Sequence, residues 1–238
     1  MNEHMSNAKT DLFLDMYKRL EAAAERLART DSRGSVVMQL ARRREYADMR
    51  EELDYCREVR NLLSHEVKVD GEYPVCPSDS MLSFMKRVLE RVENPPRAID
   101  RATPVNRLVT ANRSDRLLPL MQTMQKHNLS HVPLLEDGRV RGIFSISTVF
   151  QAFLERESLH VDEGTTLEAF DDYLPLSCHL GQSFLFIPED ILLAEASDIF
   201  DRAYQRDRKL KLLLLTRTGK EEEKLLAVLS PYDVLDKD

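Results

Sequence analysis

Tryptophan is absent from this 238-residue chain, and its three cysteines, Cys56, Cys76 and Cys178, stand far apart with no CxxC pair among them. Neither a disulfide framework nor a cysteine-built zinc site is suggested, and thiols so placed fit a reducing cytoplasm. No apolar run approaches the ~20 residues that a membrane-spanning helix needs. The opening MNEHMSNAKT lacks the charged-then-apolar order of an export signal. There is no glycine-rich phosphate loop, which argues against a kinase or an ATPase. Basic residues nearly vanish between Glu155 and Asp201, where Arg156 stands alone among many carboxylates.

What is present is the make-up of a soluble globular protein, 42% hydrophobic and 32% charged, long enough for two modest domains. The net charge of −7 speaks against a surface coated for nonspecific nucleic-acid binding. Its distribution is uneven, because Arg42, Arg43, Arg44, Arg50, Arg57 and Arg60 crowd the first 60 residues among interleaved acids. If any part meets a polyanion it is this one, although an arginine-rich helical face is otherwise a plain solvated face.

The first ~95 residues read as helices only. Leu12, Phe13, Met16, Leu20, Ala23, Ala24 and Leu27 follow helical spacing, with Thr10 or Asp11 placed to cap. TDSRG breaks that helix, Val36 to Arg44 resumes the pattern, and a third helix is predicted from Ala47 to His65. VDGEYPVCP stops it. Ser78 then caps a fourth helix with Leu82, Met85, Val88 and Leu89 inward, closed by ENPP. On the third helix Tyr55, Cys56, Val59, Leu62 and Leu63 gather on one side, and Arg57, Arg60, Asn61, Ser64 and His65 on the other.

Beyond Pro96 the texture changes to a repeated helix, hairpin, helix. Ser114 to His127 predicts a helix that tolerates Pro119 near its start. HVPLLEDGRVRGIFS predicts strands over 131–135 and 139–145 joined by a tight turn at Asp137 and Gly138, and a helix follows from Thr148 to Glu155. The same order returns in a helix from Glu195 to Arg206, a hairpin in LKLLLLTRTGKEEEKLLAVLS, and a short helix opened by PYDVL. The second hairpin's nearly continuous apolar runs suit strands covered on both faces. LGQSFLFIP is expected to supply a strand leading into the second copy, as ATPVNRLVT precedes the first.

HVPLLEDGRVRGIFS with ISTVF, and TRTGKEEEKLLAVLSPYDVL, resemble a tandem pair of CBS domains, the adenosyl-binding regulatory module. That resemblance implies a βαββα fold repeated with pseudo-two-fold symmetry. It also implies clefts where a strand-end Ser or Thr, with an Asp three residues later, contacts phosphate and ribose. Ser230 and Asp233 keep this pattern. The first copy has Ser145, but Thr148 stands where the Asp belongs. A hydroxyl suits phosphate oxygens and a carboxylate one turn on suits the two ribose hydroxyls, while the plain structural role of both pairs is to cap a helix. Backbone groups near Val105 and along Val132, Pro133 and Leu134 complete the expected ligand-binding set.

RNLLSH, residues 60–65, is similar to the Arg, polar residue, spacer, His pattern of HEPN domains, four-helix units that commonly dimerise. The implied activity is metal-independent cleavage of RNA between two facing motifs. His65 would move the 2′-hydroxyl proton, Arg60 would meet the phosphorane charge and Asn61 would orient the phosphate. Dimerisation without chemistry is the other role such a domain takes, and a histidine near a helix C-terminus is electrostatically favourable in its own right.

The expected fold class is therefore α+β: an all-α HEPN-like bundle over residues 1–95, then a pseudo-symmetric pair of CBS repeats over 96–160 and 161–238. The expected function is an adenine-nucleotide sensor, with AMP, ADP or ATP as regulatory ligand and no required cofactor or metal. It would be a cytoplasmic homodimer, off the membrane, whose helical domain acts on single-stranded RNA. The alternative is a noncatalytic CBS-domain regulatory or assembly protein in which the helices only pair subunits.

Overall fold

The computed structural model describes residues 2–27, 35–65, 73, 75–156, 160–179 and 183–235. The chain divides into two compact units, Met1–Pro95 and Pro96–Asp238.

The first unit holds helices α1 (Asn2–Leu27), α2 (Val36–Arg42), α3 (Arg50–His65) and α4 (Asp79–Glu93), with a 3₁₀ segment over Arg44–Met49. Phe13, Met16, Tyr17, Leu20, Ala23 and Ala24 form the buried stripe of α1, and α4 meets it with Leu82, Met85, Val88, Leu89 and Val92. Ser78 caps α4 as expected, its side-chain oxygen accepting the Met81 N–H at 3.2 Å. Arg19 forks onto Glu93 across the α1–α4 contact. The expected breaks over TDSRG and most of VDGEYPVCP lie outside the described residues.

Three expectations for this unit are corrected. Helix α1 begins at Asn2, so Thr10 is fully buried within it and does not cap. The third helix starts at Arg50, not Ala47: Arg43 is extended (φ −72°, ψ 143°), and the 3₁₀ segment that follows buries Tyr46. Tyr55 and Leu62 are 59% and 45% exposed, not inward. The buried stripe of α3 is Leu53, Cys56, Val59 and Leu63, too narrow to include them.

The second unit begins with a 3₁₀ turn, Ala98–Asp100, and continues through β1 (Thr103–Pro104), α5 (Leu117–Lys126), β2 (His131–Glu136), β3 (Arg139–Ser145) and α6 (Ile146–Glu155). A 3₁₀ segment, Leu167–Tyr173, leads to β4 (Ser183–Pro188), α7 (Leu193–Gln205), β5 (Leu210–Thr216), β6 (Ala227–Leu229) and α8 (Pro231–Leu235). The first hairpin is as expected, with Asp137 and Gly138 both at positive φ (51° and 78°), the geometry that matches strand twist in a two-residue turn. LGQ of the expected leading strand lies outside the described residues, while SFLFIP is β4, parallel to β5.

A four-stranded sheet, β1-β6-β5-β4, and the β2-β3 hairpin share one apolar cluster built on Val140, Leu214, Leu225 and Val228. Alternate residues Leu213 and Leu215 of β5 and Ala227 and Leu229 of β6 turn to the other face, against Phe200 and Ala196 of α7. Both faces of β5 are thus covered, which accounts for its unbroken apolar run.

The packing crosses the linear order of the two copies. Ala98 and Ala102, which precede the first copy, lie in the core of the second, where Thr103 pairs with Val228 and Ala98 N–H donates to Ile191 O at 2.9 Å. Reciprocally, Leu167, Phe170, Tyr173 and Leu174 lie in the core of the first, where Leu117 N–H donates to Thr165 O at 2.9 Å. Gly142 is where this second crossing touches β3. A Cβ there would lie 2.5 Å from Leu174 O, and the next amide, Ile143 N–H, donates to that same carbonyl at 2.9 Å.

Candidate ligand site at the strand–helix junctions

Each hairpin ends in a serine that becomes the first residue of a helix opening, and the two junctions differ in what lies three residues on. At the first, Ser145 ends β3 in extended conformation and caps α6. Its N–H donates to Thr148 Oγ1 at 3.1 Å, and its Oγ lies 2.7 Å from Ser147 Oγ and 3.2 Å from Thr148 Oγ1. Ser145 and Thr148 are each 2% exposed. This junction is neutral, buried and closed upon its own hydroxyls.

At the second, Ser230 follows β6 and Asp233 sits in the first turn of α8. Ser230 N–H and Ser230 Oγ–H both donate to Asp233 Oδ2, at 2.6 and 2.7 Å. Both residues are half-buried, so this junction reaches solvent and carries a charge that the first lacks. The amide bond fixes the carboxylate, while the hydroxyl can rotate to another acceptor. Ligand binding here would exchange one internal hydrogen bond for one to the ligand without disturbing the helix start.

The other expected ligand residues do not gather at this junction. Val105 N–H is occupied by Leu226 O at 2.9 Å, and its side chain packs in the cluster between the sheets. Val132, Pro133 and Leu134 are buried in β2, paired with Phe144, Ile143 and Gly142. Pro133 O accepts from Ala111 N–H at 3.0 Å and proline has no N–H of its own, so this run is sheet interior.

Two features escaped the sequence reading. A pocket of about 390 Å³ beside Pro231 and Val234 of α8 is lined by Tyr204 together with the basic Arg208, Lys209 and Lys211 and the acidic Asp201 and Asp207. The basic run RDRKLK was its available signal. The second is Phe184 on β4, whose ring is met edge-on by two imidazoles, His179 at 5.2 Å and His131 at 5.7 Å. His179 is 7% exposed and its Nε2–H donates to Leu174 O at 3.3 Å. Burial pushes its pKa below the ordinary 6.5, against backbone hydrogen bonds at Leu174 and Ile143 that oppose the shift.

In the helical unit, Arg60 is half-buried and turned toward α1. Its guanidinium lies 5.7 Å from the Tyr17 ring centre and 3.5 Å from Glu21 Oε1, and Nη1 is 3.4 Å from Asn61 Oδ1. Burial raises the Tyr17 hydroxyl to about 12, so the arginine meets a neutral phenol. Arg57 is paired with Asp54 at 2.7 Å, a hydrogen bond that raises its pKa further. His65 ends α3, one turn beyond Asn61, and its side chain lies outside the described residues.

Residues 99–155 match the family model of the CBS domain. No curated protein matches the chain. Among solved structures, CBSX2 in complex with AMP, a protein of Arabidopsis thaliana, is 15% identical over 59% of this chain and 93% of that one, with a TM-score of 0.41. The CBS-domain containing protein ATU1752 from Agrobacterium tumefaciens is 15% identical over 58% and 93%, with a TM-score of 0.40. A conserved domain of unknown function from Neisseria meningitidis is 14% identical over 77% and 98%, with a TM-score of 0.43. The CBS match includes the closed junction, Ser145 and Thr148, and stops before the charged one. Among the described residues no helix is long and apolar enough to cross a membrane.

Proposed function

We propose that residues 96–238 are a pseudo-symmetric pair of CBS repeats that senses an adenine nucleotide, AMP, ADP or ATP, at one principal site built on Ser230 and Asp233. The observation that carries this reading is the difference between the junctions. Both pair a strand-end serine with a residue three positions on, and only the second offers a carboxylate and access to solvent. Arg208, Lys209 and Lys211, which line the pocket beside Pro231 and Val234 together with Asp201 and Asp207, offer cationic side chains for phosphate next to α8. Ser145 and Thr148 then serve as a cap and carry no ligand. The protein works as a cytoplasmic homodimer, and bound nucleotide shifts how its helical domains meet, by as much as its affinities for the two states differ. Calorimetric titration with AMP, ADP and ATP tests the site. Saturable binding by at least one, weakened in Asp233→Ala and unchanged in Thr148→Ala, supports it. Binding indifferent to Asp233 removes the assignment.

The output is assigned to the HEPN-like unit, residues 1–95, whose implied chemistry is cleavage of single-stranded RNA by Arg60, Asn61 and His65. For that chemistry Arg60 must exchange Glu21 for a scissile phosphate. Its present engagement with Glu21 and Tyr17 favours the second reading, a helical unit that pairs subunits without catalysis. Incubation of unstructured RNA with the full chain in chelator, with and without AMP and ATP, separates the two. Cleavage abolished by both Arg60→Ala and His65→Ala establishes the nuclease, and intact RNA under every condition leaves pairing alone.

A further inference from the structure

The turn from α7 into β5 gathers charge that its counterpart in the first copy lacks. Asp207 takes a left-handed conformation (φ 54°), its N–H donating to Tyr204 O at 3.0 Å and the Arg208 N–H to Ala203 O at 2.9 Å. This is the Schellman closure, where glycine is the usual residue. Asn128 closes α5 in the same way (φ 54°), with Leu129 N–H on Met124 O at 2.8 Å, and stands as far before β2 as Asp207 does before β5. Leu129 then packs on the core of its copy, the apolar contact that the motif favours. In the second copy Arg208 and Lys209 hold the places of Leu129 and Ser130, and both are exposed. A register shift opposite Ser183 and Phe184 makes Lys211 an extra residue of β5, and Leu210 and Lys211 both line the pocket beside α8. One turn and one bulge thus bring three cations together.

We infer that this pocket is a ligand site of its own, for a phosphate monoester carrying an aromatic group. Among the described residues none of the three cations forms an ion pair, although Asp201 and Asp207 line the same space. A helix C-terminus attracts cations in its own right, which accounts for Arg208 and leaves Lys211, out in the strand, unexplained. Arginine and lysine meet a phosphate dianion, while the two carboxylates disfavour a longer polyphosphate. The apolar part has its own surface: Phe200 and Leu210 are buried beneath, Pro231 and Val234 lie alongside, and the ring of Tyr204, 86% exposed, is available for stacking. At about 390 Å³ the space suits a small organic ligand. Leu229 of β6 packs toward α7 in one cluster with Phe200 and Leu210, and strand alternation turns the next residue, Ser230, to the opposite face. Asp233 likewise falls about 100° round α8 from Val234. The phosphate taken here therefore belongs to a second molecule, bound beside the nucleotide.

Calorimetric titration of the full chain with phenyl phosphate and with inorganic phosphate reads the site. Phenyl phosphate should bind saturably and about 10-fold tighter than inorganic phosphate, a preference that Tyr204→Ala should erase. Arg208→Gln with Lys211→Gln should weaken it roughly 10-fold or more, with circular dichroism unchanged. Were that variant to misfold, Arg208→Gln with Lys209→Gln, at two exposed positions, would decide. Asp233→Ala should leave phenyl phosphate binding within about two-fold of wild type, as expected of separate sites. An equal loss in Asp233→Ala and in the cation variant overturns the inference and assigns the cations to the nucleotide. Absence of binding at millimolar concentration, or binding indifferent to all three cations, overturns it as well. A chain that takes phenyl phosphate through these cations yet binds no adenine nucleotide upholds this site and overturns the nucleotide reading instead.

Discussion

Gly142→Ala would test the crossing of Leu174 over the first hairpin. The added methyl would lie 2.5 Å from Leu174 O and 2.9 Å from its carbonyl carbon, both backbone atoms that cannot rotate away. Either β3 bends or the Leu174 segment lifts, and lifting breaks the 2.9 Å bond from Ile143 N–H. Overpacking of this kind costs about 1–3 kcal/mol and the hydrogen bond about 1 kcal/mol more. The sum, about 2–4 kcal/mol, corresponds to a fall of roughly 6–12 °C in the melting temperature of a unit this size. Thermal unfolding by circular dichroism reads the total, and hydrogen exchange at Ile143 reads the local bond. Gly164→Ala is the control, since a Cβ there meets only Asp162 Oδ1 at 3.4 Å and should change stability by less than about 0.5 kcal/mol. A Gly142→Ala protein that melts within 1–2 °C of wild type, with the Ile143 amide equally protected, would refute the contact as the source of the cost.

Asp233→Ala should weaken nucleotide binding about 10- to 100-fold, the cost of one charged acceptor, as measured by calorimetry. His179, whose folded pKa lies below 6.5, stays neutral where the unfolded chain takes up a proton. Its contribution is therefore complete above pH 6.5 and declines as pH falls below that value toward the lower folded one, so urea midpoints should fall over this window in wild type and less in His179→Gln. Ser78→Ala removes the cap of α4 and should cost about 1 kcal/mol in denaturant titration. Arg60→Ala should cost no more than about 1 kcal/mol, because the Arg60 and Glu21 side chains both remain partly exposed to water, so any loss of RNA cleavage in this variant cannot be put down to unfolding.

Local signals in the sequence located most elements. Asp137–Gly138 specified a hairpin because two successive residues must take positive φ, and few other pairs do so readily. The apolar run of β5 announced a strand covered on both faces. Long-range consequences were not written locally. That Ala98 belongs to the core of the second copy and Phe170 to that of the first depends on which surfaces meet, and no spacing rule encodes it. Tyr55 and Leu62 satisfied the helical period yet stayed exposed, because periodicity gives the width of a possible stripe and the neighbouring helices decide how much of it they cover. The candidate site was partly legible for the same reason. Ser230 and Asp233 sit three residues apart, a relation a sequence displays. The pocket residues and the imidazoles around Phe184 come from separate elements and meet only in the fold.

The exchange of opening segments also bears on the order in which the chain acquires structure. During synthesis the first hairpin emerges before Leu167 to Leu174, the residues that close its core, and β1 waits for β6 near the other end of the chain. Contacts so distant in sequence slow folding, since the intervening loop must be closed before they return any energy. A half-made module would therefore expose the inner face of β3 and an unpaired edge to its surroundings. It follows that neither repeat should fold as a free-standing body. The 96–238 segment should acquire and lose its structure in one cooperative step, so that damage at either junction is felt by both.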